Sequence, residues 1–331
     1  MIRRLFVISA AFLAVSCGQK PPPLPTSPSA GGPGGVRWAS APAVGAFDLL
    51  AIDFVDGDEG WAVGNIGPTG GAIFETSDGG KNWTPIARTL EVLNSVQFIT
   101  RTRGWVAGLA GRIERTDDGG RTWKTQRIEH GSELLNSVFF LDAQRGWISG
   151  GAGLLLRTTN GGDTWEVARS GRVEDLWTIR FSSEKNGWIV GEDGLILATA
   201  DGGATWNQQV SGTRAGLYGL ALARPDALIA TGEKGTILRS ENGSTWTPAP
   251  SGTTEALNAV SAAAENVFWA VGSAGATVGS SDGGKTWTPI APVSSRALMA
   301  IDLTGPSHGV AVGRRGVMQR LEPAALQGVD K

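Results

Sequence analysis

The chain has 331 residues, with 29 basic against 31 acidic side chains and a formal charge of −2. That balance argues against nucleic acid as a general partner, and a single cysteine leaves no disulfide and no cysteine-built metal site. Thirteen tryptophans and 49 glycines, beside one tyrosine, point instead to many short turns around a repeated aromatic.

Residues 1–16 read as a secretory signal. Arg3 and Arg4 form the positive end, and Leu5 to Val15 are apolar apart from Ser9. That stretch is too short for a permanent membrane span. The ending Leu13-Ala14-Val15-Ser16-Cys17 resembles a bacterial lipobox, so Cys17 is expected to be lipidated and to become the new N-terminus. Residues 17–35 are mostly Pro, Gly and small polar side chains, which cannot bury a core. At ~3.1 Å per residue this tether reaches roughly 50 Å. The expected location is therefore outside the cytoplasm, on a membrane lipid anchor, facing the periplasm, the outer membrane or a thylakoid lumen.

From residue 36 onward the sequence is an internal repeat. The octapeptide ending at Trp83, TSDGGKNW, returns at Trp123, Trp165, Trp206 and Trp287, with a shortened copy, SENGSTW, at Trp246. Successive copies lie 40 to 42 residues apart. An apolar strand opens each unit, at Leu49, Leu93, Leu135, Leu176, Leu217, Leu257 and Leu298. A second strand follows, often as Gly-Trp-x-x-Gly, as at Trp61, Trp105, Trp147 and Trp188. A glycine two residues later opens a third strand, and a pair of glycines flanking two residues suits a tight hairpin. The fourth strand begins at the octapeptide tryptophan. Four short strands per 41 residues without helical periodicity make a propeller blade. The expected fold is all-β, a seven-bladed β-propeller of four-stranded antiparallel blades spanning 36–322, with 323–331 as a tail. The seventh unit lacks a fourth strand, and Val36–Pro42 matches the post-turn segment Lys285–Pro292. The N-terminal segment is therefore expected to complete the last blade and close the ring.

The octapeptide is an Asp-box. Asp78, Asp118, Asn160, Asp201, Asn242 and Asp282 are expected to accept hydrogen bonds from backbone N–H groups of their own turn. The glycines permit positive φ. Trp83, Trp123, Trp165, Trp206, Trp246 and Trp287 are expected to fill slots between strands and tie the hairpin down. Copies on six blades, each explained by its own turn, make the box scaffold and not a calcium or ligand site. The second-strand tryptophans are expected to pack between blades. Small residues at the third position of the opening strands, Ala51, Ser95, Ser137, Thr178, Gly219, Ala259 and Ala300, would let neighbouring inner strands approach.

No catalytic pattern is present. His130 and His308 sit in no nucleophile or metal-ligand motif, and no phosphate loop occurs. Neither a metal nor a cofactor is expected. Alternation of turns puts the Asp-boxes on one face of the disc, and the second-to-third turns and blade connections on the other. Arginines gather on the second face, with Arg88, Arg169, Arg172, Arg214 and Arg296 assigned to connections and Arg112, Arg314 and Arg315 to turns. Such a surface suits carboxylates, chain termini or anionic headgroups. Arg88, Arg112, Arg172, Arg214, Arg296, Arg314 and Arg315 are the candidate partner-binding residues.

The coupled motifs, the second-strand GW-x-x-G, then G-x-x-G, then T-x-D-G-G-x-T-W, resemble those of the photosystem II stability/assembly factors. The likeness covers nearly all of residues 36 to 322, and the lipobox is similar to that of cyanobacterial members. It implies a non-enzymatic lipoprotein that holds newly made reaction-centre protein and pigment, with an arginine-rich surface for its client; a monomer is expected. The fifth unit, with its shortened box and no second-strand Trp, and the seventh depart from the pattern. Two other readings stand beside this one. One is a general cell-envelope scaffold with an envelope protein as partner; the other is a glycan-binding or sialidase-like propeller. A sialidase would need an arginine triad and a tyrosine–glutamate pair. Tyr218, on an inner strand, is better explained as a channel or core residue.

Overall fold

Alternation of apolar and small residues over five to eight positions, broken by paired glycines, makes strands and hairpins here. In the computed structural model, which describes residues 35–45, 47–67, 69–126 and 134–323, these form seven four-stranded antiparallel sheets. The blades cover 48–89, 93–126, 135–169, 176–209, 217–248, 257–290 and 298–323. First strands contact one another in sequence, and that of blade 7 returns to that of blade 1. The seven opening leucines are fully buried. The signal, Cys17, most of the tether, His130 and residues 324–331 lie outside the described residues.

The ring closes as expected. Val36–Ser40 forms the outermost strand of blade 7, antiparallel to Met318–Pro323, with Ala39 opposite Arg320. In blade 6 Thr288 stands opposite Gly279 in the same register, so Trp38 takes the place of Trp287. Trp38 is buried and packs edge-on against Trp269, with ring centroids 5.7 Å apart. The last strand runs one residue beyond the expected end, to Pro323.

Two local devices differ from the simple repeat reading. The hairpin does not centre on two residues between a glycine pair. In blade 2 its central residues are Ala110 (φ 56°) and Gly111 (φ 68°), and the Arg112 N–H donates to Leu109 O at 3.1 Å. Both have positive φ, the arrangement that matches strand twist in a two-residue hairpin. Gly108, the first of the pair, is needed for close approach, since a Cβ there would run into the Val92 carbonyl. Second, every first strand has a register shift just after its opening leucine. This bulge frees the second residue to reach sideways. Asn94, Asn136 and Asn258 thereby donate to the carbonyls of Leu135, Leu176 and Leu298 in the next blade, at 2.9, 3.0 and 2.8 Å.

The third-position small residues do allow close approach. A Cβ at Gly219 would meet Ala259 of blade 6. Ser95 Oγ accepts the Val138 N–H at 3.0 Å, and Thr178 Oγ1 donates to Tyr218 O at 2.6 Å.

The second-strand tryptophans are buried between blades and act as latches. In blades 1 to 4 their indole N–H groups cross the seam to an Asp-box glycine carbonyl of the next blade. Trp61 reaches Gly119, Trp105 reaches Gly161, Trp147 reaches Gly202 and Trp188 reaches Gly243, at 3.3, 3.0, 3.2 and 2.7 Å. In the first three seams the same indole stacks on a first-strand phenylalanine of the next blade. These pairs are Trp61–Phe98, Trp105–Phe140 and Trp147–Phe181, with centroids 3.5, 3.5 and 3.7 Å apart. The box tryptophans Trp123, Trp165 and Trp206 close each stack edge-on.

Candidate partner-binding face

Each Asp-box satisfies its own turn. In blade 2, Thr116 Oγ1 accepts the Gly120 N–H at 2.8 Å, while Asp118 accepts the Thr122 N–H at 2.8 Å and its hydroxyl at 2.6 Å. These bonds hold the Asp118 carboxyl down to about 2, and the Thr205 hydroxyl and N–H do the same for Asp201. Asp78 and Asp282 are used alike; Asn160 and Asn242 accept through their amide oxygens. All six carboxylate or amide groups are thus committed to backbone. Among the box tryptophans, Trp123 and Trp287 bond their own glycine carbonyls, and Trp165 and Trp246 bond Gln126 and Gln209. Trp83 packs edge-on to Phe54 at 5.9 Å. Among the described residues no group of His, Cys, Asp and Glu is placed to hold a metal ion.

The two faces are assigned by hydrogen bonds. Gly79, Gly119, Gly161, Gly202 and Gly283 donate to the first-to-second loops of their own blades, which puts boxes and those loops together. On the opposite face, the turn residues Leu109, Gly151, Glu192, Glu233, Ser273 and Arg314 donate to the connections that enter their blades.

The arginines on this second face differ in their exposure and in their partners. Arg112 is only 21% exposed and is clamped between Glu91 at 2.6 Å and Glu114 at 2.7 Å. Arg172 pairs with Glu174 at 2.6 Å and bonds Gln208; this hydrogen bonding holds the Glu174 carboxyl down to about 2. Arg88 is exposed on the fourth strand of blade 1 (Thr84–Thr89), not in a connection, and Arg169 likewise ends the fourth strand of blade 3. Arg214 is exposed in the connection into blade 5. Blade 7 brings three together. Arg296 Nη1 donates to Arg315 O at 3.3 Å, and Arg315 sits exposed at the hairpin tip with φ 54°. Its N–H donates to Asp48 Oδ1 at 2.8 Å, and Arg314 Nη1 lies 4.0 Å from the same carboxylate. Arg296, Arg314 and Arg315 therefore form one basic sector with Asp48 beneath it.

Repeat reading missed two charged groups. Across the face from blade 7, blades 4 and 5 carry Asp175, Glu192 and Glu233 around Trp177 and Tyr218. Tyr218 Oη donates to Glu233 Oε1 at 2.9 Å, and its ring packs edge-on to Trp177 at 5.9 Å. Burial and the Asp175 charge raise Glu192; burial and Glu233 raise Tyr218. The second group lines the axis. Asp53, Arg180 and Asp302 share the fifth position of their first strands, with Arg180 across the ring from the two acids. Asp302 accepts the Phe54 N–H at 2.8 Å, and Asp53 the Phe98 N–H at 2.7 Å. Burial pushes Asp302 up to about 6; burial and the neighbouring Asp302 charge also raise Asp53 well above the usual carboxylate range. A charged residue recurring at the fifth position of an otherwise apolar strand was the available signal.

Comparison with known proteins bears on the sequence and the fold. Residues 86–173 match the sequence model of a family described as photosynthesis system II assembly factor YCF48. The photosystem II assembly lipoprotein Ycf48 of Synechococcus sp. (strain CC9902) is 33% identical over 98 residues, 28% of each chain. The match thus spans little more than a quarter of that relative's length. A solved structure described as YCF48 bound to D1 peptide superposes with a TM-score of 0.71 at 23% identity, covering 86% of this chain and 96% of that one. YCF48 from Cyanidioschyzon merolae gives 0.71 at 21% identity, covering 87% and 99%. The chain is therefore similar in sequence to the photosystem II assembly factors over residues 86–173, and it shares its propeller fold with the solved YCF48 structures.

Proposed function

We propose that this chain is a non-enzymatic assembly or stability factor that holds a segment of a membrane protein on its turn-and-connection face. The observation that carries the reading is the match of residues 86–173 to the assembly factor family, within a ring that superposes on YCF48 bound to D1 peptide. The basic sector of Arg296, Arg314 and Arg315 suits a carboxylate or other anionic group of the client, because guanidinium forks bind carboxylates through paired charge-assisted bonds. Arg214 lies apart from it, in the connection into blade 5; Arg112 and Arg172 brace their own loops. Lipid on Cys17 would anchor the protein on the exported side of the membrane, with residues 17–35 as a tether that lets the face reach its client. The Asp-boxes serve the scaffold, and no residue is assigned to catalysis.

The test is crosslinked capture from native membranes, with mass spectrometry identifying the client. The triple variant Arg296→Ala/Arg314→Ala/Arg315→Ala should lower recovery about tenfold or more, as expected for lost charge-assisted bonds of ~1.5–3 kcal/mol each. Its melting temperature should stay within a few degrees of the parent's. Full recovery by the variant would sink the assignment of this sector.

A further inference from the structure

The seams between blades are not equivalent, and the difference follows from two positions. In three seams an indole from one blade stacks on a phenylalanine from the next. At the seam of blades 5 and 6 the indole is missing, and the phenylalanine ring is supplied from the second strand, where Phe268 packs on the box tryptophan Trp287 with centroids 6.3 Å apart. By strand register Ile229 stands where the indole would be, since it pairs with Arg239 as Trp61 pairs with Glu75. Ala262 takes the place of the phenylalanine. At the seam of blades 7 and 1 one ring is missing, with Val310 for the indole and Phe54 retained.

Both seams that have lost the indole hold a cavity on the Asp-box face, of about 210 Å³ at the first and about 110 Å³ at the second. In each, a third-strand arginine bonds the box carbonyl without an indole beside it, whereas Arg115 shares Gly161 O with Trp105. Arg239 Nε donates to Gly283 O at 2.6 Å, and Arg320 Nε to Gly79 O at 3.1 Å.

The larger cavity has a built lining. Leu228, Ile229 and Phe268 form a buried apolar floor, and Arg239 contributes a planar guanidinium held by Gly283 and Glu241. Arg224, Glu265, Asn266 and Lys285 stand exposed at its rim, with side chains that make no hydrogen bond or ion pair among the described residues. The volume is below the ~300–1,000 Å³ of drug-sized sites, so it fits one ring system and not an extended ligand.

We propose that the seam of blades 5 and 6 is a vacant ring slot that binds a planar heteroaromatic group of indole type. Such a ring is the shape that the same position holds in the complete seams. It would stack against the guanidinium of Arg239, an attraction between cation and π-face, and present its polar edge to the rim residues. The ring can come from an aromatic side chain of a protein or from a free heteroaromatic molecule. The slot is on the face opposite the basic sector, so it stands or falls independently of the assembly-factor reading.

Saturation-transfer NMR on the mature protein tests this with two probes, free indole and N-acetyl-tryptophanamide. Wild type should show transfer to at least one. Ile229→Trp should reduce that signal at least tenfold, because the new indole fills the slot. Val310→Trp, which fills the other seam, should leave it unchanged. If Ile229→Trp folds poorly, Glu265→Ala/Asn266→Ala at the rim should weaken transfer instead. Transfer to N-acetyl-tryptophanamide would identify a protein side chain as occupant, and transfer to indole alone a small molecule. No transfer from either probe to wild type, or equal transfer in Ile229→Trp, would overturn the proposal.

Discussion

The two sides of the ring are joined differently. Between blades 1 and 4 each seam carries a stacked Trp–Phe pair, an indole bond to a box carbonyl and a box tryptophan set edge-on. Between blades 5 and 1 the same positions hold Ile229 with Ala262, Trp269 with Leu303, and Val310 with Phe54. Trp269 keeps its indole, but blade 7 has no Asp-box to offer a carbonyl, and its N–H is left without a partner. Blade 7 is also the blade built from both ends of the chain. Redundant aromatic packing thus supports the first half. The second half depends on the closing strand and on single arginine bonds, and that is where the basic sector and the open seam cavities lie. A repeat can give up packing in a few units when the ring is closed, since each blade remains held from both sides.

Removing the closing strand should have the largest effect on this contrast. Deletion of residues 36–42 would expose the outer edge of Met318–Pro323 and the indole of Trp269, an unpaired edge beside apolar surface. A fall in melting temperature of more than ten degrees is expected by calorimetry; an unchanged curve would show that blade 7 stands without it.

Next come the seams. Trp105→Ala removes a fully buried ring that stacks on Phe140 and should cost about 3–5 kcal/mol in denaturant unfolding. Ile229→Ala, beside a cavity that already exists, should fall near the low end for its type, about 2 kcal/mol. Equal losses would erase the distinction between the two halves.

Much of this was legible beforehand because propeller physics repeats. Seven opening leucines, the box tryptophans at 40 to 42 residue spacing and the match of Val36–Pro42 to Lys285–Pro292 define the blades, the closure and the strand register. The missing second-strand tryptophan of blade 5 could be seen as a departure. Its meaning could not, since the lost stacking partner, Ala262, belongs to the next blade and is unremarkable within its own strand. The clamping of Arg112 and Arg172 was hidden for a similar reason. A count of arginines on a face does not say which carboxylates the hairpin and connection bring beside them. The axial set of Asp53, Arg180 and Asp302 escaped notice because residues far apart in sequence meet only once the ring closes.

That axial set supplies the smallest effect. Asp302 lies above the ordinary carboxylate value of 3.8, at about 6. The folded ring therefore holds a proton between these values that the unfolded chain has lost. Its favourable contribution is complete below about pH 4 and disappears as pH rises through about 6. Asp302→Asn, which keeps an acceptor for the Phe54 N–H, should stabilise the protein by about 1–2 kcal/mol at pH 8 and by little at pH 4. Asp53 and Arg180 face the same channel, so a gain independent of pH would mean that packing, not charge, governs the site.

The proposed function turns on whether the client is held on the turn-and-connection face at blade 7. A photoreactive residue placed at position 296, and in a second preparation at position 121 on the Asp-box face of blade 2, away from both seam cavities, tests this most directly in native membranes. Position 296 is expected to crosslink a membrane protein, and position 121 not to yield the same product. Capture of that protein from position 121 alone, or equally from both, would contradict the assignment.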